Sequence, residues 1–163
     1  GLNAAAGGAA RVTSVDISAD AIAQARKNAD RNGLTVKMDF VCADVFDLLT
    51  ELANRGGAAD YDFIILDPPA FTKSKDSIKK AMKGYREINM QGLKLVKNGG
   101  FLATCSCSHF MSYELFTEVI GQAAKSVHKR LRQVEFRTQA PDHPILWNVP
   151  ETDYLKFYIF QVV

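Results

Sequence analysis

The sequence predicts an α/β fold in which a mostly parallel sheet is doubly wound, with helices on both faces. Short segments rich in β-branched residues alternate along the chain with longer segments of helical periodicity. Segment 61–69, YDFIILDPP, is almost continuously apolar before its final DPP, which is typical of a parallel strand covered on both faces. At the end of the chain two strand-like segments follow each other without a helix between them. The last strand is therefore predicted to be antiparallel, at or near the sheet edge.

Six segments are predicted as strands because β-branched and aromatic residues concentrate in them. In chain order they are 11–17, 36–43, 61–69, 99–106, 133–138 and 154–163. A proline-bearing loop separates the last two. The sequence shows no internal repeat and no linker, which indicates a single domain.

Four segments between these strands are predicted as helices, from apolar stripes at helical spacing. They are 18–33, 44–57, 76–96 and 112–127. Ser18 and Asp44 suit the N-caps of the first two, which should end at Gly33 and at Gly56 and Gly57. The stripe of the third helix consists of Ile78, Met82, Tyr85, Ile88, Gly92 and Leu95, and that of the fourth of Phe116, Val119, Ile120 and Ala123.

The opening segment, GLNAAAGGAA, is helix-compatible, ends at Gly7 and Gly8, and has the character of a helix entered midway. A doubly wound sheet needs a strand and a glycine-rich turn before such a helix. We therefore expect the first strand of the sheet to be missing from this chain. Residues 1–163 are predicted to be one domain that is incomplete at its N-terminus.

Composition narrows the class of protein. The chain has 163 residues, of which 47% are hydrophobic and 23% charged, as in ordinary globular domains. No apolar run approaches the roughly 18 residues that a membrane span needs, so no membrane partner is expected. Cys42, Cys105 and Cys107 are an odd number of thiols, which disfavours a disulfide framework and favours a cytoplasmic location. Three scattered thiols also lack the four ligands of a structural zinc site, so no metal is expected.

The formal net charge of +2 is unevenly distributed. Between residues 72 and 97, eight basic residues face two acidic ones, a local net charge of +6. The basic residues there are Lys73, Lys75, Lys79, Lys80, Lys83, Arg86, Lys94 and Lys97, and a second cluster contains Lys125, Lys129, Arg130, Arg132 and Arg137. Such local potential favours a phosphate-rich partner; a solvated helix face is the alternative.

Carboxylates end the first two predicted strands, and ligands bind at the carboxyl ends of strands in a doubly wound sheet. Asp16 can accept hydrogen bonds from both hydroxyls of a ribose, or it caps the helix that follows. Asp44 can accept from the exocyclic amine of adenine, or it too is a helix cap. Ile17 and Val45 can sandwich a purine, or they belong to the core. These four residues form the predicted cofactor site.

The third strand ends in the turn Asp67, Pro68 and Pro69. The two prolines stiffen the turn and aim the Asp67 carboxylate into the cleft. There it can bind the amino edge of a flat base, and Phe71 can stack on one; an ordinary strand-to-loop turn is the alternative. The fourth strand ends in CSCS, residues 105–108, which adds thiols to the same predicted edge.

Five segments carry a more specific signal: VTSVDIS, ADVFDLL, DFIILDPPAFTKSK, GYREINMQGLKLVKNGGFLATCSCSHFM and PDHPI. Together they resemble the class I S-adenosylmethionine-dependent methyltransferases, whose sheet is Rossmann-like. Within that class the chain resembles the family that makes 5-methylcytosine in bacterial large-subunit ribosomal RNA, the ribosomal RNA large subunit methyltransferase I type. The likeness covers nearly the whole chain, and the combination of DPPAF, GYREINM and SCS is its most specific part. The family's glycine-rich cofactor loop and N-terminal RNA-binding domain have no counterpart here.

The resemblance implies transfer of a methyl group from S-adenosylmethionine to carbon 5 of a cytosine in ribosomal RNA, with S-adenosylhomocysteine as product. It implies Cys107 as the nucleophile that adds to carbon 6, with Cys105 as a packing residue. Strand alternation puts both thiols on one face if the strand runs that far, so the opposite assignment stays open. Asp67 would bind the cytosine edge, help protonate the ring and take part in the cofactor site. The implied substrate-binding residues are Pro68, Pro69, Phe71, Lys73 and Lys75.

Under the same resemblance Asp16 would hold the ribose of the cofactor and Asp44 its adenine. Ribosomal RNA is the expected partner, and a homodimer is left open. His143 lies in a loop that could approach the site, although most such histidines are structural. Tyr85 and Asn89 lie one turn apart on a helix and are expected to pack and orient rather than to react.

Three other functions remain open at this point. A methyltransferase acting on an exocyclic base amine would use Asp67, Pro68 and Pro69 and leave Cys107 idle, although such a motif normally has an aromatic residue where Ala70 stands. A non-catalytic RNA-binding module could keep the same fold. A nicotinamide-dependent dehydrogenase is disfavoured by the DPP turn and by the paired final strands.

Overall fold

The computed structural model describes residues 1–55, 60–72 and 74–163. The chain folds as two compact units, Gly1–Glu51 and Leu52–Val163, and the boundary between them falls within one helix. In the part of the chain that is described, no helix is long and apolar enough to cross a membrane. The prediction that residues 1–163 form a single domain, and that its first strand is missing, stays a prediction.

The first unit is built on two parallel strands, β1 (Val12–Asp16) and β2 (Met38–Cys42), paired in register from end to end. Its helices are α1 (Leu2–Ala6), α2 (Ala19–Arg31) and α3 (Val45–Asn54). Ser18 caps α2 as predicted, because its Oγ accepts a hydrogen bond from the backbone N of Ala21 at 3.2 Å. Gly33, with a φ of +66°, lies just beyond the end of α2. The predicted end of α3 at Gly56 and Gly57 lies outside the described residues.

The second unit contains a four-stranded sheet in the order β3-β4-β6-β5. The strands are β3 (Tyr61–Leu66), β4 (Val96–Ser106), β5 (Leu131–Arg137) and β6 (Lys156–Val162). Helix α4 (Ile78–Leu95) connects β3 to β4, and α5 (Tyr113–Ser126) connects β4 to β5. The prediction of a mostly parallel sheet with an antiparallel last strand is confirmed, since β3, β4 and β5 run one way and β6 is reversed.

Strand β6 lies between β4 and β5, one position inside the edge, which agrees with the prediction of a last strand at or near the edge. One detail of this sheet differs from the sequence prediction. Strand β4 begins at Val96, three residues before the predicted start, because α4 passes directly into it. Strands β3 and β4 approach closely at Gly100, since a Cβ there would lie 2.9 Å from the carbonyl oxygen of Asp62.

The core of the second unit lies between its sheet and the apolar faces of α4 and α5. The predicted stripe of α5 is confirmed in full, because Phe116, Val119, Ile120 and Ala123 are all buried. On α4 the buried members of the predicted stripe are Tyr85, Ile88, Gly92 and Leu95, whereas Ile78 and Met82 are half-buried. These helices fix the position of the segments that follow β3 and β4, where the candidate site lies.

Candidate active site

In the first unit, the two predicted cofactor carboxylates lie at the carboxyl ends of neighbouring strands. Asp16 ends β1 and pairs with Cys42, which ends β2 two residues before Asp44. Beyond the strands, the backbone N of Ala43 donates to the carbonyl of Asp16 at 3.1 Å, and the Cys42 thiol donates to the carbonyl of Ile17 at 3.5 Å. The parallel pairing thus brings both predicted segments to one edge, as expected.

Each of these carboxylates also supports its own loop. Oδ1 of Asp16 accepts from the backbone N of Ser18 at 2.8 Å, and Oδ1 of Asp44 accepts from the backbone N of Phe46 at 2.8 Å. Asp44 therefore does cap α3, whereas Ser18 rather than Asp16 caps α2. One oxygen of each carboxylate thus holds the backbone of its own loop.

In the second unit, the DPP turn is tied to the end of β4 by a buried thiol. Cys105 is 5% exposed, its Sγ donates to Oδ1 of Asp67 at 3.0 Å, and the carbonyl oxygen of Leu66 lies 3.5 Å from the same sulfur. Burial raises the pKa of the Cys105 thiol, and the hydrogen bond to the Asp67 carboxylate raises it further. Cys105 therefore stays a protonated donor that orients Asp67, and it is poorly suited to attack carbon.

Cys107 lies in a different environment from Cys105. Strand β4 ends at Ser106, so the two-residue alternation that would place both thiols on one face does not extend to Cys107. Ser106 and Ser108 are buried, whereas Cys107 between them is exposed. An exposed thiol on a segment anchored on both sides is accessible to a substrate and yet held in place.

The hydroxyl of Tyr85 joins the two segments of the site. This buried side chain on α4 accepts a hydrogen bond from Ser106 Oγ at 2.9 Å and another from the backbone N of Phe71. Ser108 Oγ donates to the carbonyl of Thr72 at 3.0 Å, which adds a second link. Burial raises the pKa of Tyr85, so this phenol remains neutral while it holds the DPP segment against the segment that carries Cys107.

Lys156 is a site residue that the sequence analysis missed. Its side chain is 2% exposed, and Nζ donates to the carbonyl of Ser108 at 2.8 Å, directly after Cys107. Burial lowers the pKa of this ammonium group, while Asp153 and Cys107 act in the opposite direction. The sequence did contain a signal, because Lys156 shares one face of the predicted strand with Tyr158, Phe160 and Val162, and a lysine on an apolar face needs a partner. In the structure every second residue of β6 from Lys156 to Val162 is buried.

The remaining predicted residues are placed as follows. Pro68 is buried and Pro69 is exposed, and their contacts with substrate stay predictions. The ring of Phe71 packs against Tyr85, with centroids 4.6 Å apart, so stacking of a base on Phe71 stays a prediction. Lys73 lies outside the described residues, and Lys75 begins the short 3-10 helix Lys75–Ser77; their contacts with substrate also stay predictions.

Asn89 and His143, which were expected to have structural parts, lie in different environments. Asn89 is fully buried and its Nδ2 donates to the carbonyl of Tyr85 at 2.8 Å, which fits packing and orientation. His143 is exposed, and its Nδ1 lies 3.2 Å from the hydroxyl of Tyr154, so it fits a loop contact.

Comparison with known proteins decides the class. A family model described as S-adenosylmethionine-dependent methyltransferase matches residues 1–157. The chain belongs to this family. The methyltransferase fold predicted from the sequence is thereby confirmed, and the same family defines the cofactor class.

Curated relatives are similar over nearly all of this chain. The ribosomal RNA large subunit methyltransferase I of Photobacterium profundum is 43% identical over 157 residues, which cover 96% of this chain and 39% of that protein. The enzyme of the same name from Pseudoalteromonas atlantica is 40% identical over 164 residues, covering 100% of this chain and 41% of that protein. The chain thus spans about two fifths of the length of the curated relatives that it matches.

Solved structures agree with this methyltransferase fold. A methyltransferase crystallised with SAH superposes with a TM-score of 0.84 and is 25% identical, covering 99% of this chain and 41% of that one. A methyltransferase from Streptococcus mutans has a TM-score of 0.83 at 24% identity, with the same shares of the two chains covered.

The first unit of this methyltransferase chain fits the adenosine half of S-adenosylmethionine. Ile17 is 71% exposed although it is apolar, and it directly follows Asp16 at the carboxyl end of β1. Val45 is half-buried and follows Asp44. Exposed apolar side chains beside carboxylates suit a ligand that has a flat apolar ring, a diol and an amine, which adenosine combines.

Proposed function

We propose that the protein carrying this chain transfers a methyl group from S-adenosylmethionine to carbon 5 of a cytosine in ribosomal RNA, with Cys107 as covalent nucleophile. The observation that carries the proposal is the contrast between the two thiols at the end of β4. Cys107 is exposed, whereas Cys105 is buried and donates to Asp67. The names and about 40% identity of the curated relatives support ribosomal RNA as the substrate.

The residues of the chain divide the work between binding and reaction. Asp16 would accept from the cofactor ribose and Asp44 from its adenine amine, with Ile17 and Val45 against the ring. The cofactor, when bound, supplies an electrophilic methyl group on a sulfonium. A methyltransferase complexed with SAH that shares the fold supports this assignment. In the second unit, Asp67 would hydrogen-bond the base.

Cytosine carbon 5 is a weak nucleophile, and the thiol removes that obstacle. The Cys107 thiol would lose its proton to solvent and Sγ would bond to carbon 6, while the electron pair of the 5,6 double bond moves toward N3, which takes a proton; carbon 5 is then enamine-like. Carbon 5 would bond to the methyl group as the bond from that group to the sulfonium sulfur breaks, with S-adenosylhomocysteine as the leaving group. The carbon 5 proton would pass to water, its electron pair would restore the 5,6 double bond, the Sγ–carbon 6 bond would break to release the thiolate, and N3 would lose its proton. Asp67, oriented by Cys105, would hydrogen-bond the cytosine edge throughout.

A covalent trap tests this mechanism. The protein that carries this chain is incubated with cofactor and with a large-subunit ribosomal RNA transcript in which 5-fluorocytidine replaces cytidine. Fluorine at carbon 5 blocks elimination, so the enzyme should remain bonded to RNA in denaturant, and the peptide mass should map the adduct to Cys107. Cys105→Ala is the matched control: it removes the neighbouring thiol and should keep the adduct, whereas Cys107→Ala should abolish it.

Two outcomes would contradict the proposal in different ways. An adduct that maps to Cys105 would keep carbon-5 chemistry and move the nucleophile. Methyl transfer to ordinary RNA that survives Cys107→Ala, without any adduct, would favour methylation of an exocyclic amine. Absence of both cofactor binding and methyl transfer would favour a non-catalytic RNA-binding module.

The predicted cytoplasmic location belongs to the same proposal, and a homodimer stays open. Sedimentation of the protein with and without RNA would decide the oligomeric state.

A further inference from the structure

The second unit contains a pocket that the proposed chemistry does not use. Its volume is about 330 Å³, which is within the usual range for small-ligand sites. Two distant segments form it: residues 109–113, which follow β4, and residues 145–156, which lead into β6. Its lining includes His109, Tyr113, Leu146, Trp147, Asp153 and Lys156.

Trp147 forms one wall of this pocket and is 99% exposed. It is the only tryptophan of the chain, and it follows the exposed apolar residues Ile145 and Leu146. A group of exposed apolar side chains, unlike a single one, marks an interaction site. Its loop is nevertheless held in shape. The backbone N of Val149 donates to the carbonyl of Leu146 at 2.9 Å, and the backbone N of Leu146 donates to Thr152 Oγ1 at 2.8 Å. The indole is thus presented on an ordered turn.

The base of the pocket is polar, with both donors and acceptors. The buried ammonium of Lys156 lies 5.6 Å from the ring centroid of Tyr113, and the Tyr113 hydroxyl donates to Oδ1 of Asp153 at 2.5 Å. An aromatic wall above a cation and a carboxylate suits a flat ring with a π-face and a mixed donor and acceptor edge. A nucleobase has these properties, whereas an apolar peptide side chain would use neither the cation nor the carboxylate.

The pocket lies beside the segment that carries Cys107. His109 follows Cys107 by two residues, so their Cα atoms are at most about 7 Å apart. Lys156 connects the two places directly, because its Nζ donates to the carbonyl of Ser108 at 2.8 Å. Among the described residues, His109 lines the pocket and Cys107 does not. A base in the pocket would therefore neighbour a base bonded to Cys107.

We propose that this pocket receives the base of a nucleotide that flanks the target cytosine, stacked on Trp147 with its edge toward Asp153 and Lys156. The proposal rests on the proposed function for the position of the target. It assigns Trp147 a role in substrate recognition rather than in the reaction. A site for a flanking base would also select the sequence around the modified cytosine.

The test couples one side chain to one base. The modified nucleotide is first located by transfer of a labelled methyl group, a step that does not depend on which atom is methylated. RNA affinity is then measured for RNAs with a single abasic site before, at or after that nucleotide, in a Cys107→Ser background. Trp147→Ala should weaken binding of intact RNA about tenfold, because base–aromatic stacking is worth about 1–3 kcal/mol. Trp147→Phe should lose less RNA affinity than Trp147→Ala. The control is Val36→Ala, which removes an exposed apolar side chain from the first unit and should leave RNA affinity unchanged.

The decisive result is the coupling between the variant and the abasic RNA. The loss caused by Trp147→Ala should vanish when one flanking base, and not the target base, is removed. Equal loss on every RNA, or coupling to the target base, would overturn the proposal. Unchanged RNA affinity with an altered oligomeric state would instead assign the surface to a protein contact. Quenching of Trp147 emission by RNA, without any methyl transfer, would overturn the proposed function while keeping the pocket.

Discussion

The substitution Tyr85→Phe removes one oxygen atom and keeps the ring in the core. The phenylalanine ring can retain the contacts to Phe71 at 4.6 Å and Phe116 at 5.4 Å. What it loses is the acceptor of Ser106 Oγ and of the backbone N of Phe71. A buried donor left without its acceptor costs about 1–3 kcal/mol, so the expected loss of unfolding free energy is about 2 kcal/mol. For a protein of this size that corresponds to a Tm lower by about 4–8 °C.

Thermal and urea unfolding would measure this effect, and a double-mutant cycle with Ser106→Ala would locate it. The two substitutions remove the same hydrogen bond, so their effects should be less than additive. Tyr154→Phe is the control, since its hydroxyl contact to His143 is exposed and should be worth less than about 0.5 kcal/mol. A Tm within about 1 °C of the wild type, or strict additivity with Ser106→Ala, would refute the view that this hydroxyl holds the two segments together.

Three further predictions concern the thiols and the strand contacts. In the native protein, iodoacetamide at pH 8 should alkylate Cys107 and leave Cys105 unmodified, as peptide mass mapping would show; equal labelling of both would contradict the burial of Cys105. Because folding raises the pKa of Cys105 above its ordinary value of 9.0, the unfolded chain releases this proton first, and stability should fall as pH rises above about 9. Between pH 8 and pH 10.5 the free energy of unfolding should fall less in Cys105→Ala than in the wild type, by up to about 1.4 kcal/mol per pH unit. Urea titrations at a series of pH values would measure this, and parallel plots of unfolding free energy against pH for the two proteins would contradict it. Gly100→Ala should destabilise the protein by about 1–3 kcal/mol because the new Cβ meets the Asp62 carbonyl, and an unchanged Tm would show that β3 and β4 can separate.

Periodicity and capping explain why most of the fold was predictable. Local rules act over a few residues, so Ser18 and Ser112 mark helix starts and the stripe of α5 identifies its buried face. The reversed last strand followed from the lack of a crossover helix before β6. The exact start of β4 was missed because α4 runs into it without a turn residue.

The sequence indicated most residues of the candidate site, but neither Lys156 nor the arrangement of the site. The sequence by itself determined the order of strands and helices, the carboxylates at strand ends and the motifs of a methyltransferase. Tertiary structure alone decided which thiol is exposed, since β4 ends one residue before Cys107. It also decided that Tyr85 joins two segments and that Lys156 and Trp147 share a pocket. The reason is physical: burial and hydrogen bonding depend on partners dozens of residues away, which no local pattern specifies.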